Sequence, residues 1–267
     1  MRAPAPILCY HKVERRREVG VTRLSPRRFA RQIGRLAAAG WRSLSLAEVR
    51  AVVQGERRLR ERELAITFDD AYRGLRDHAF PVLADHGFRA VCFVISEYAG
   101  TLNRWDVAYG GRRFAHLAWR DMRKWQARGI DFASHTATHP RLTWLSADEV
   151  AFELARSKRA LERALDVSVT AVAWPFGAVT SRELAIARLE GFDLGLALAA
   201  RWTGDPMVVP RLPVYPWSPP KPGVGPLASL EWPAAWLANR CAVGTTLWQS
   251  LRRGPRSVKR IEPVIAD

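Results

Sequence analysis

The run AITFDD, residues 65–70, closes an apolar stretch with two adjacent carboxylates, Asp69 and Asp70. A second polar set, SHTATHP at 134–140, puts His135 and His139 four positions apart behind another apolar run. On one turn of helix or in a tight loop, side chains at that spacing face the same way. Two imidazoles so placed can share a divalent ion at about 2.0–2.1 Å. The pair is not the H-E-x-x-H pattern, because position 136 is Thr. Two histidines and one carboxylate make a three-ligand set with room left for water and substrate. The other carboxylate is then free to take a proton from the metal's water, whose pKa such an ion lowers from about 15.7 toward about 7.

For this chemistry the two segments must meet at one mouth. Short apolar runs at 7–11, 64–68, 90–95, 130–135, 171–176 and 194–198 read as strands. Amphipathic segments lie between them. Ser25-Pro26 opens a helix that Gly40 closes, with Phe29, Ile33 and Leu36 on one face. Ser146 to Glu149 and Thr180 to Glu183 read as capping boxes. The alternation predicts an α/β chain with parallel strands, as a barrel or a doubly wound sheet. Both architectures collect chemistry at the carboxyl ends of strands. Pro and Gly crowd residues 204–226, which read as irregular chain leading to an appendage. The expected division is a domain over 1–217 and a Pro/Trp/Arg-rich extension over 218–267.

Size and charge narrow the classes. A chain of 267 residues buries a core without disulfide staples. Cys9, Cys92 and Cys241 stand apart in apolar surroundings and read as free thiols in a reducing compartment. No basic stretch followed by a long apolar core opens the sequence, so the cytoplasm is the expected location. The net charge of +16 favours polyanions, among them anionic lipid and phosphorylated carriers. Basic residues cluster at 15–17 and again at Arg252, Arg253, Arg256, Lys259 and Arg260. The second cluster follows Trp232, Trp236 and Trp248, an arrangement suited to lying on the inner membrane face. No basic–aromatic module for specific nucleic-acid binding is present.

T-F-D-D at 67–70, H-T-x-x-H at 135–139 and P-F-G at 175–177, in that order and each after a strand, resemble the polysaccharide deacetylases with the NodB homology domain, carbohydrate esterase family 4. The resemblance covers roughly residues 5–215. It implies a distorted (β/α)7-type barrel and metal-dependent removal of acetyl groups from sugars. By resemblance Asp69 is the catalytic base, Asp70, His135 and His139 are the metal ligands, and Phe176, after Pro175, offers its backbone N–H to the oxyanion. Two positions depart from the family pattern. Ala173 stands where many members have an arginine that orients the base, and no histidine follows His139 to act as general acid. Leu-Cys-Tyr-His at 8–11 instead resembles the branch with a circularly permuted barrel, as in the poly-N-acetylglucosamine deacetylases, which makes His11 the candidate acid.

Arg211 is the candidate for the charge missing at Ala173. Asn103, Trp105 and Asp106 follow the 90–95 strand, where a substrate loop belongs. His78, His86 and His116 read as helix-surface residues. The expected cofactor is a divalent metal, zinc first, with Co, Ni and Fe suited to the same donors. The expected substrate is an N-acetylated sugar on a polymer, lipid or nucleotide. The alternatives are a non-catalytic glycan- or membrane-binding barrel and an amidase acting on a non-sugar substrate.

Overall fold

A computed structural model describes residues 5–16, 22–106, 113–198 and 202–217. The expected extension over 218–267, with Cys241 and the second basic cluster, lies outside the described residues. The strands are β1 (Ile7–Tyr10), β2 (Lys12–Val13), β3 (Arg23–Leu24), β4 (Arg42–Ser43), β5 (Glu63–Phe68), β6 (Ala90–Val94), β7 (Ile130–Ser134), β8 (Ala171–Ala173), β9 (Leu194–Leu198) and β10 (Val209–Pro213). The ring runs β1-β5-β6-β7-β8-β9-β10 and closes where β10 pairs with β1, all in parallel. The expected barrel is therefore the fold. Strand β1 sits between β10 and β5, so a group on β1 joins a site built from the far end of the chain.

Helices α1 (Pro26–Ala38), α2 (Leu46–Val53), α3 (Gly74–His78), α4 (Phe80–Asp85), α5 (Trp119–Gln126), α6 (Ala147–Leu165) and α7 (Ser181–Leu189) lie between the strands. Ser25 caps α1, and capping boxes at Ser45/Glu48, Ser146/Glu149 and Thr180/Glu183 start α2, α6 and α7. Among the described residues no helix is long and apolar enough to cross a membrane.

Every residue of β1, β5 and β6 is buried, as expected of parallel strands covered on both faces. Their alternation divides the core in two. Leu8, Tyr10, Leu64, Ile66, Phe68, Cys92 and Val94 face the helices. Ile7, Ala65, Val91, Phe93, Ala133 and Val209 fill the inside of the ring. Tyr10, Phe29, Phe68 and Phe80 meet at ring centroids 5.3–5.9 Å apart between the strands and helices α1 and α4. Phe68→Ala, which would empty that cluster, costs about 3–5 kcal/mol by the usual scale for a buried aromatic.

Two expectations are corrected. Residues 209–213 lie within the stretch read as irregular, yet they form β10. Its pairing is divided between two neighbours: residues 209–211, with Pro210, lie against β9, and residues 212–213, with Pro213 last, lie against β1. The strand read over 171–176 stops at Ala173, and Pro175–Gly177 turn as a short 3-10 segment. At the opposite end of the ring, the buried Glu63 accepts from Arg42 at 2.6 Å and Arg57 at 2.5 Å, tying β4 to the start of β5.

Candidate functional site

The period of two along each strand decides which side chains enter the mouth. Ala65 and Phe93 face inward, so Thr67 and then Asp69 follow inward from β5. Ile7 and Cys9 lead to His11, Ala133 leads to His135, and Val209 leads to Arg211. Four residues singled out in the sequence thus share the parity that fills the ring. Asp70 would face the helices on the same count. A left-handed turn at Asp70 (φ 68°) and Ala71 (φ 54°) swings it back to the mouth. Non-glycine residues in that region are strained, and such strain persists where surroundings over-determine it.

Asp69 is fully buried and held by a fork. Arg211 Nη1 donates to its Oδ1 at 2.7 Å and Nη2 to its Oδ2 at 2.8 Å. Nη1 also donates to Thr67 Oγ1 at 3.2 Å, and that hydroxyl donates to Leu8 O at 2.8 Å. Burial alone would raise the Asp69 carboxyl. Arg211 and His135 outweigh it and hold the group well below its usual range. The Cys9 thiol lies 3.4 Å from Asp69 Oδ2, and burial raises its pKa, so it stays a weak donor to the base. His11 Nε2 is 4.0 Å from the same oxygen, and burial lowers its pKa to about 4.

Asp70, His135 and His139 offer one atom each, all within 4.8 Å of one another. Their Oδ1–Nε2 separations are 3.5 Å to His135 and 3.7 Å to His139. His135 Nδ1 lies 2.8 Å from the Ala173 carbonyl, which fixes that nitrogen as donor and leaves Nε2 as a lone pair. Burial pushes both imidazoles toward neutrality. Asp70 Oδ1 is buried and, among the described residues, accepts no hydrogen bond. Burial and the neighbouring Asp69 charge raise its carboxyl well above the usual range. A buried carboxylate oxygen facing two neutral imidazole nitrogens is the donor set of a divalent metal, and these residues fit one.

The histidine segment is a loop, with Thr136 at φ 66° and His139 at φ 59°. Its shape is fixed from α6. Glu153 accepts from the Ala137 and Thr138 amides at 3.0 and 2.8 Å and from the Thr138 hydroxyl at 2.6 Å. Thr136 Oγ1 accepts from His139 N at 3.0 Å. Glu153 escaped the sequence reading because a glutamate within a helix carries no local mark of such a task.

The remaining candidates divide. Phe176 turns at φ 59°, with its ring 4.8 Å from His139 and Pro175 buried before it. Trp105 is buried with its ring 4.1 Å from His139, and Asp106 lies close enough for its charge to raise Asp70 further. Asn103 is committed elsewhere: its Oδ1 accepts from Phe114 N at 2.9 Å, bracing the loop.

His116 corrects an expectation. It is buried rather than on a helix surface, its Nδ1 is 2.5 Å from Asp70 O, and its ring stacks on Tyr72 at 4.8 Å. It therefore supports the strained turn beneath Asp70. His78 ends α3 half-buried, and His86 is exposed just past α4.

The family model described as polysaccharide deacetylase matches residues 56–195. YxkH of Bacillus subtilis is 26% identical over 194 residues, 73% of this chain and 64% of that protein. The poly-beta-1,6-N-acetyl-D-glucosamine N-deacetylase of Escherichia coli K12 is 28% identical over 109 residues, 39% of this chain and 16% of that protein. The chain thus spans less than two thirds of either relative's length. The structure of IcaB from Ammonifex degensii superposes with a TM-score of 0.70 at 26% identity, covering 88% of this chain and 96% of that one. The Streptococcus pyogenes deacetylase PplD, at 23% identity and a TM-score of 0.70, shares the fold. With the barrel, the order of its strands and the two motif segments in agreement, the chain belongs to the polysaccharide deacetylase family.

Proposed function

We propose that this chain is a metal-dependent hydrolase that removes the acetyl group from an N-acetylated sugar. One observation carries the reading: a three-residue metal set, Asp70, His135 and His139, stands beside a second carboxylate, Asp69, that an arginine keeps ionised. A purely binding barrel has no need of that division between neighbouring carboxylates. The Escherichia coli relative is named for N-deacetylation of a poly-N-acetylglucosamine, which supports a sugar amide over a non-sugar one.

Asp70, His135 and His139 would hold a divalent ion, which would supply Lewis acidity and lower the pKa of a bound water. Zinc suits two imidazoles and one carboxylate, and Co, Ni and Fe share that preference. Asp69 accepts the proton of the attacking water. Arg211 aims both oxygens of Asp69 and keeps it a base at neutral pH. The Phe176 backbone N–H, on the turn beside His139, donates to the carbonyl oxygen as it gains charge. His11 starts neutral at pH 7. Its Nε2, 4.0 Å from Asp69 Oδ2, is placed to receive the proton from Asp69 and deliver it to the leaving nitrogen. Trp105 closes one side of the metal loop and excludes water there. A cytoplasmic or inner-face location and a carrier-linked substrate belong to the same proposal, and the net charge of +16 is their support.

The test is acetate release from N-acetylglucosamine oligomers, with the ion removed by chelation and restored. Release that stops and returns with the ion supports the proposal; release indifferent to the ion contradicts it.

A further inference from the structure

A cavity of about 260 Å3 opens beside the site, and no step above uses it. Its basic lining is Lys12, Arg16, Arg73 and Arg113. Its acidic lining is Glu14 and Asp77, so four basic side chains face two acidic ones. Arg76 pairs with Asp77 at 2.8 Å, and Glu14 Oε1 accepts from Arg15 N at 2.8 Å. Among the described residues no acidic side chain pairs with Arg16 or Arg73. Lys12, only 6% exposed, sits over the Tyr72 ring at 4.6 Å and the Phe114 ring at 5.0 Å, both of which line the cavity. Gly74, also in the lining, lets the start of α3 approach β2 closely, since a Cβ there would come within 2.6 Å of Val13 O.

Position links the cavity to the reaction. Lys12 directly follows His11, and Tyr72 comes two residues after Asp70. The Lys12 charge acts on Asp70, His11 and His116 alike. Lys12, which lines the cavity, is thus close enough to Asp70 for its charge to act there.

We propose that this cavity is an anion subsite that takes a phosphoryl group linked to the acetylated sugar. Several guanidinium groups and one ammonium around a small concavity suit a multiply charged tetrahedral anion, and the Tyr72 and Phe114 rings form an apolar wall for the sugar it carries. The inference rests on the deacetylase reading, so its test needs one arm independent of turnover.

In the kinetic arm, the zinc-loaded full chain is given N-acetylglucosamine 1-phosphate, UDP-N-acetylglucosamine, the neutral methyl glycoside, and a disaccharide whose only charge is a glucuronate. The subsite predicts kcat/KM for both phosphorylated probes at least about tenfold above the neutral one. Arg73→Gln and Arg113→Gln remove that advantage and leave the neutral glycoside within about twofold. A preference confined to one phosphorylated probe, against the advantage expected for both, overturns a subsite that reads the phosphoryl group itself. Equal kcat/KM across the panel, an equal preference for the glucuronate, or losses uniform over all substrates overturn it.

In the binding arm, N-acetylglucosamine 1-phosphate is titrated calorimetrically into Asp69→Asn and into Asp69→Asn with Arg73→Gln. Saturable binding that weakens about tenfold in the second keeps the subsite even if no probe releases acetate, an outcome that would sink the deacetylase reading alone. Absent binding, or binding indifferent to Arg73→Gln, overturns the subsite.

Discussion

Arg211 and Asp69 lie 142 positions apart in sequence and meet as a two-bond fork inside the barrel, at 2.7 and 2.8 Å. Removing one partner leaves the other charge buried and unsatisfied. Arg211→Met is therefore expected to destabilise the fold by about 3–5 kcal/mol in urea unfolding. Arg211→Lys keeps the charge but loses the fork, and recovers only part of the stability and activity. The pH profile separates positioning from packing. Arg211 holds the Asp69 carboxyl down, and a general base works only above its pKa. Without Arg211 the acid limb of kcat/KM moves to higher pH. An unchanged limb in a folded Arg211→Lys or Arg211→Met protein would show that Arg211 serves stability alone.

Metal retention should follow the division between the two carboxylates. Asp70→Asn and His139→Ala are expected to purify without the ion. Glu153→Gln, which loosens the loop carrying His139, is expected to weaken affinity by about tenfold, the scale of an outer-shell partner. Competition with a chromogenic chelator measures this directly.

His11→Ala is expected to lower kcat on an amide substrate by about 10²–10⁴, the range of a positioned acid. An aryl acetate needs no proton on its leaving group, so its hydrolysis should fall far less. Equal losses on both substrates would assign His11 to the fold or to the metal loop.

Acid unfolding should report on the other end of the barrel. Burial raises the Glu63 carboxyl, but its bonds from Arg57, Arg60 N and Arg42 outweigh that and lower it to about 2 from 4.5. A carboxyl depressed in the folded state contributes stability above its unfolded pKa and loses it as pH falls through the folded one. The loss should run from about pH 4.5 down to about 2, and Glu63→Gln should flatten the wild-type slope in that window. Identical slopes would mean the Arg42 and Arg57 pairs contribute nothing.

The sequence made the strands of the barrel readable because parallel strands buried on both faces are continuous apolar runs. ILCY, LAITF and AVCFV need no tertiary context to be recognised. VPRLP hid its strand behind two prolines and a buried arginine, whose reason for being inward is Asp69. The metal set was legible as spacing, but its geometry was not. Left-handed turns at Asp70 and His139 depend on supports remote in sequence: His116 beneath one and Glu153 behind the other. His116 looked like a surface histidine because its partners, Tyr72, Trp105 and the Asp70 carbonyl, come from loops that meet only in the folded chain. The matched family segment, 56–195, includes neither His11 nor Arg211. Ring closure between β1 and β10 supplies both.

The most direct test of the account uses Asp69→Asn, which is nearly isosteric and leaves Asp70, His135 and His139 in place. Metal content by mass spectrometry and acetate release from an N-acetylglucosamine oligomer are measured on wild type and variant together. The account predicts about one ion per chain in both proteins, with acetate release confined to wild type. A variant that loses its ion would make Asp69 a ligand, and one that keeps both ion and activity would remove Asp69 as the base.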